Sequence, residues 1–149
     1  MPHSVVLSEC SNTLWVADRE RMAVRAIDSE TGVEKKRFPM AEGGYPYSLT
    51  QDELTGRVYA LVWARPRSGV GGKVWMADVL AGTTVELPGV SVPHDFVVSY
   101  DVYDDTYRVY VGETGPGASG RVSVYSVDGL EKQDFAQALK ERGIVAHGV

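Results

Sequence analysis

The sequence predicts an all-β fold assembled from three copies of one strand module, and three observations carry that reading. A proline followed by a polar or aromatic ring and a short apolar run recurs at Pro2-His3-Ser4-Val5-Val6-Leu7, Pro46-Tyr47-Ser48-Leu49 and Pro93-His94-Asp95-Phe96-Val97-Val98. The prolines stand 44 and 47 residues apart, a fixed period of the size that marks a repeat architecture. Between them lie runs rich in Val, Tyr and Trp, separated by polar turns. Helical periodicity is absent until about residue 130.

Each module reads in the same order. In the first, a strand over 2–7 is followed by a polar turn at 9–12, a second strand over 14–17 and a third over 22–28. The turn Glu30-Thr31-Gly32 then leads to a more polar fourth strand over 33–38. The second module repeats this with strands over 46–49, 58–62, 73–78 and 83–87. The third gives strands over 93–98, 109–111 and 121–128, the last alternating in the period-2 pattern of a strand with one buried face. No fourth strand is evident there. Residues 130–142 read instead as a short amphipathic helix, with Leu130, Phe135, Ala138 and Leu139 on one side and Gly143 as its stop. Its expected role is to cover the edge of the last module.

Four short strands in a period near 45 match one blade of a β-propeller. The expected organisation is three blades at about 1–43, 44–90 and 91–127, with a helix and tail over 128–149. Propellers close with about four to eight blades, so three leave lateral faces uncovered. Either blades encoded upstream or self-association of three-blade units is expected to complete the wheel.

Composition excludes several function classes. At 149 residues there is room for one domain of ordinary size. Fifteen Lys and Arg against twenty Asp and Glu give a net charge of −5, the wrong sign for neutralising phosphates, so nucleic acid is not an expected partner. No window approaches the ~20 apolar residues of a membrane span. Cys10 is the single cysteine and cannot form an internal disulfide; its polar turn marks it as inert. The glycines around 69–72 precede no helix and no Lys-Ser/Thr pair, which argues against a phosphate loop.

The residues that carry chemistry are few. His3 and His94 begin equivalent strands, and in a propeller such positions converge near the central channel. Each either ligates a metal or simply opens its strand with a polar ring. Asp95 reads as an orienter of His94, a calcium ligand or a turn cap. Arg19, in Asp18-Arg19-Glu20-Arg21, is either part of a local ion-pair cluster or a planar fork for a carboxylate. Tyr47 takes the place of the histidines in the middle module. Trp15, Trp63 and Trp75 fit strand packing, and His147 lies in the tail.

Pro2-His3-Ser4, Leu14-Trp15-Val16-Ala17-Asp18-Arg19-Glu20 and Val92-Pro93-His94-Asp95 together resemble the C-terminal half of peptidyl-α-hydroxyglycine α-amidating lyase, or peptidylamidoglycolate lyase. That family is a six-bladed propeller of NHL-type repeats, and the similarity covers roughly residues 2–127. The resemblance implies a catalytic zinc held by three histidines, two of them matched by His3 and His94 and the third upstream. It implies a structural calcium at Asp95 and a substrate-lining role for Arg19. A tyrosine and another arginine important to the family belong to blades outside this chain. Trp15 and Ala26 stand where animal members carry a disulfide pair, and Val92 stands where they carry a methionine beside the pocket.

The implied activity is that of a carbon–nitrogen lyase, cleaving a C-terminally hydroxyglycine-extended peptide to a peptide amide and glyoxylate. By the same resemblance the setting is the secretory pathway or the extracellular space. These residues alone are expected to turn over poorly, since the third ligand and the base are absent. The competing expectation is a noncatalytic NHL-repeat propeller that binds a peptide or protein.

Overall fold

In the computed structural model, residues 2–52, 55–68, 71–90, 92–101, 103, 106–114, 121–126 and 132–134 are described. They form three separate four-stranded antiparallel sheets, each a simple up-and-down meander. The first contains β1 (Pro2–Ser8), β2 (Thr13–Asp18), β3 (Ala23–Asp28) and β4 (Glu34–Pro39). The second contains β5 (Tyr45–Gln51), β6 (Val58–Ala64), β7 (Lys73–Asp78) and β8 (Thr84–Glu86). The third contains β9 (Pro93–Asp101), β10 (Thr106–Glu113), β11 (Arg121–Ser126) and β12 (Lys132–Asp134). The inner strands β1, β5 and β9 lie side by side in that order, which is the arrangement of consecutive propeller blades. The fold is a partial β-propeller.

Two apolar layers hold the blades together. Between the first and second sheets pack Trp15, Ala17, Val24 and Ala26 against Leu49, Val58, Ala60, Val62 and Trp75. Between the second and third pack Tyr59, Leu61, Trp63 and Met76 against Phe96, Val98, Val109, Val111 and Tyr125. The second blade is therefore buried on both faces, which explains why β6 reads as an unbroken apolar run with Val58 to Trp63 all buried. The first blade keeps one open face, where Val5 and Leu7 are 54% and 51% exposed. In register, Val5 of β1 corresponds to Leu49 of β5, which packs on the preceding blade.

The hairpins at the rim repeat a small device. Asp28, Asp52 and Asp78 each accept at the backbone carbonyl from the glycine four positions on, Gly32, Gly56 and Gly82, all at positive φ near 73°. The Asp28 side chain also accepts from the backbone N–H groups of Glu30 and Thr31, both at 2.9 Å, and Asp78 Oδ1 from the Ala81 N–H at 3.1 Å, so these two turns are closed by Asx bonding.

Two sequence expectations are corrected at the end of the chain. The third blade does have a fourth strand: Lys132–Asp134 pairs with β11 through Gln133 opposite Val124. The same three residues occupy the first turn of the predicted helix, and they are extended. An outermost strand need not carry the apolar alternation by which a strand is recognised, as the exposed Glu34-Lys35-Lys36-Arg37 run of β4 illustrates. The open hydrogen-bonding edge of β11 selects the strand over local helical preference. The remainder of the expected helix, and His147, lie outside the described residues.

Candidate functional site

The recurring Pro-ring dipeptide acquires a structural meaning in the strand register. Pro2 faces Asp18 and Ser4 faces Ala17, so His3 is an extra residue in β1. Pro46 faces Val62 and Ser48 faces Leu61, leaving Tyr47 extra in β5. Pro93 faces Glu113 and Asp95 faces Gly112, leaving His94 extra in β9. All three blades thus carry a bulge at the same rung of the inner strand. A bulge bends the strand and re-aims one side chain. A proline can precede it because the inner strand is a sheet edge and needs no N–H donor there.

His3 and Tyr47 meet directly. The Nδ1 of His3 lies 2.6 Å from the Tyr47 carbonyl oxygen, and the two rings pack with centroids 4.3 Å apart. A carbonyl can only accept, so Nδ1 carries the proton, and in the neutral imidazole the lone pair is then on Nε2. His94 is exposed at the equivalent place two blades on.

Behind each histidine bulge, and not behind the tyrosine, the second strand supplies a buried carboxylate. Asp18 accepts at Oδ1 from the backbone N–H of Arg21 at 3.2 Å and at Oδ2 from its guanidinium at 2.9 Å, with Arg25 at 3.5 Å. Burial pushes the Asp18 carboxyl upward, but the Arg21 donors outweigh it and hold it below the ordinary carboxylate value. Glu113 accepts from Arg121 Nε at 2.8 Å and from Ser123 Oγ at 2.8 Å. Val62 fills the corresponding place in the middle blade.

Asp95 joins the blades. Its Oδ1 accepts from the hydroxyl of Ser48 on the neighbouring inner strand and from the Phe96 backbone N–H at 2.8 Å. One blade earlier, Ser4 Oγ accepts the Leu49 N–H at 3.1 Å. The residue after each bulge thus stitches one inner strand to the next.

Arg19 sits in the β2–β3 turn, and its guanidinium carbon lies 5.4 Å from the Tyr47 ring centroid and 6.0 Å from that of Tyr45. Arg19 and His3 line one open pocket of about 610 Å³, together with Tyr45 and, from the β6–β7 loop, Arg65, Pro66 and Arg67. His94 and Asp95 do not line it. The structure therefore brings His3, Tyr47 and Arg19 together and keeps His94 and Asp95 on the third blade. Among the described residues no three His, Cys, Asp or Glu side chains form a group able to hold a metal.

Arg65 and Arg67 were not legible in the sequence, where they are two basic residues in a polar loop some 46 positions after Arg19. The loop is held in place by the Trp63 indole N–H, which donates to the Gly71 carbonyl at 2.9 Å. Gly72 is at φ +93°, and a Cβ there would strike the Ala64 carbonyl oxygen and come within 2.7 Å of the Pro66 ring.

No family model and no curated protein sequence matches the chain. Solved structures do. Hydrazine synthase of Kuenenia stuttgartiensis matches with a TM-score of 0.56 and 14% identity over 91% of this chain and 37% of that one. The extracellular domain described as that of the one component system BT4673 of B. thetaiotaomicron matches with a TM-score of 0.52 and 12% identity, over 90% of this chain and 18% of that one. This chain thus spans well under half of either structure. Among the described residues, no helix is long and apolar enough to cross a membrane. At identities this low the likeness shows the fold, a partial β-propeller, and nothing finer.

Proposed function

We propose that this chain supplies part of the substrate pocket of a propeller resembling peptidylamidoglycolate lyase, acting on a peptide that ends in α-hydroxyglycine. The observation that carries the reading is the shared pocket of His3 and Arg19, with the His3 ring tied at Nδ1 and its Nε2 left open. Register pairing of Trp15 with Ala26 gives further support, since directly opposed residues suit the disulfide pair implied there by the resemblance.

In this reading the Arg19 guanidinium holds the glycine-derived carboxylate, which suits its planar fork of donors. Tyr45 and Tyr47 restrict where that guanidinium can go. His3 and His94 would hold zinc with a third donor from outside the described residues, and zinc bound there would supply Lewis-acid polarisation of the substrate hydroxyl oxygen. The Nδ1–H to carbonyl bond fixes the tautomer that such ligation needs. In the net reaction the N–Cα bond breaks, the hydroxyl loses its proton to become the aldehyde of glyoxylate, and the amide nitrogen gains a proton. Asp95 would contribute to a calcium site through Oδ2, since Ser48 and the Phe96 N–H donate to Oδ1. The peptide partner and a secretory or extracellular setting follow from the same resemblance.

Zinc content and peptide binding test the proposal. Stoichiometric zinc in the full chain, lost in His3→Ala and in His94→Ala, supports it. Arg19→Ala is expected to weaken binding of a peptide ending in a free glycine carboxylate by about 10-fold or more, as a charge-assisted contact worth ~1.5–3 kcal/mol predicts. Peptide binding without zinc, and indifferent to Arg19, would sink the lyase reading and favour a noncatalytic binding propeller.

A further inference from the structure

The pocket carries more positive charge than one carboxylate requires. Arg19, Arg65 and Arg67 line it against a single acidic side chain, Glu20, in a protein whose net charge is −5. None of the three arginines has an ion pair among the described residues. Arg65 is also pre-oriented: its guanidinium carbon lies 5.5 Å from the Trp63 ring centroid, and the same Trp63 anchors the loop through Gly71. The loop is closed by glycines at positive φ, 77° at Gly71 and 93° at Gly72, so its path at the pocket wall is specific to these residues. Unpaired arginines on a braced loop in a concave site are the arrangement expected for an anion that arrives with the ligand.

We infer that Arg65 and Arg67 form a second anion subsite, which selects peptides bearing an acidic side chain close to the C-terminal residue. The inference rests on the reading in which Arg19 takes the terminal carboxylate. The ligand class is then a dianionic peptide end, with one charge on the β2–β3 turn and the other on the β6–β7 loop. The pocket, at about 610 Å³, lies within the ~300–1,000 Å³ range of sites that enclose a small ligand.

Three short peptides separate the two ideas in calorimetric titrations of the full chain: acetyl-Phe-Glu-Gly, acetyl-Phe-Gln-Gly, and acetyl-Phe-Glu-Gly capped as the C-terminal amide. The Glu peptide is expected to bind about fivefold more tightly than the Gln peptide at low salt, with the difference shrinking at 0.5 M NaCl. In Arg65→Gln/Arg67→Gln the preference for Glu over Gln should vanish; both side chains are exposed, so the fold is retained, and circular dichroism checks it. Equal affinity for Glu and Gln peptides, or a preference that survives the double substitution, overturns the subsite. Should the amide-capped peptide bind as well as the free acid, the Arg19 reading fails while the Glu/Gln comparison still decides the subsite. No saturable binding of either acid peptide at millimolar concentration overturns both.

Discussion

Leu61→Ala in the middle blade is the sharpest test of how the sheets are held together. Leu61 is 0% exposed, faces Ser48 and Met76 across its own sheet, and belongs to the apolar layer shared with Phe96, Val109 and Tyr125 of the third blade. Deleting three buried carbons removes about 2.4 kcal/mol of transfer free energy at ~0.8 kcal/mol per group. A blade clamped between two neighbours relaxes little, so a cavity term adds to this and brings the loss to about 3.5 kcal/mol. With a urea dependence near 2 kcal/mol per molar, the unfolding midpoint should fall by roughly 1.8 M. Val5→Ala is the control. It removes two methyl groups from a side chain 54% exposed on the open face, and the expected loss is under about 1 kcal/mol. Urea titrations followed by tryptophan fluorescence give both values. A Leu61→Ala midpoint within about 0.4 M of the parent would refute the packing of the second and third blades. A loss at Val5 as large as that at Leu61 would show that a further blade or a second copy covers the open face in solution.

Two pH predictions follow from the buried groups. The Asp18 carboxyl is held below its ordinary value by Arg21 despite burial, so it binds fewer protons when folded than when unfolded. Its contribution is present above pH 3.8 and is lost as pH falls through the lowered folded value; acid titration of stability should show a flatter profile for Asp18→Asn in that range. Tyr125 is pushed up to about 12 by burial, with the Glu113 charge adding to it, and its hydroxyl donates to the Pro88 carbonyl at 2.9 Å. The raised value favours the folded state below pH 10, an advantage that fades as pH climbs from 10 toward 12. Difference absorbance at 295 nm should show a late-titrating phenol that is absent in Tyr125→Phe.

The blade pattern was legible because it rests on burial. Strands with one or two covered faces, such as Val58–Ala64, leave period-2 or continuous apolar runs that survive in the sequence. The outermost strands leave no such trace, and a helical reading fails at Lys132–Asp134 because only the vacant edge of β11 dictates its conformation. His3, His94, Asp95 and Arg19 were legible as candidates through the repeated dipeptide and the resemblance. The bulge beneath each ring was not, because it is a property of register between strands. Arg65 and Arg67 were invisible for a related reason: only the stacking of blades carries the β6–β7 loop to the pocket that Arg19 lines.

The partner of the His3 ring is a main-chain oxygen, and mutation cannot delete it. Position 47 is thereby released from guarding the imidazole's proton. A lineage can exchange its phenol for another group, altering the shape and polarity of the opening, while the neighbouring heterocycle keeps the same nitrogen turned outward.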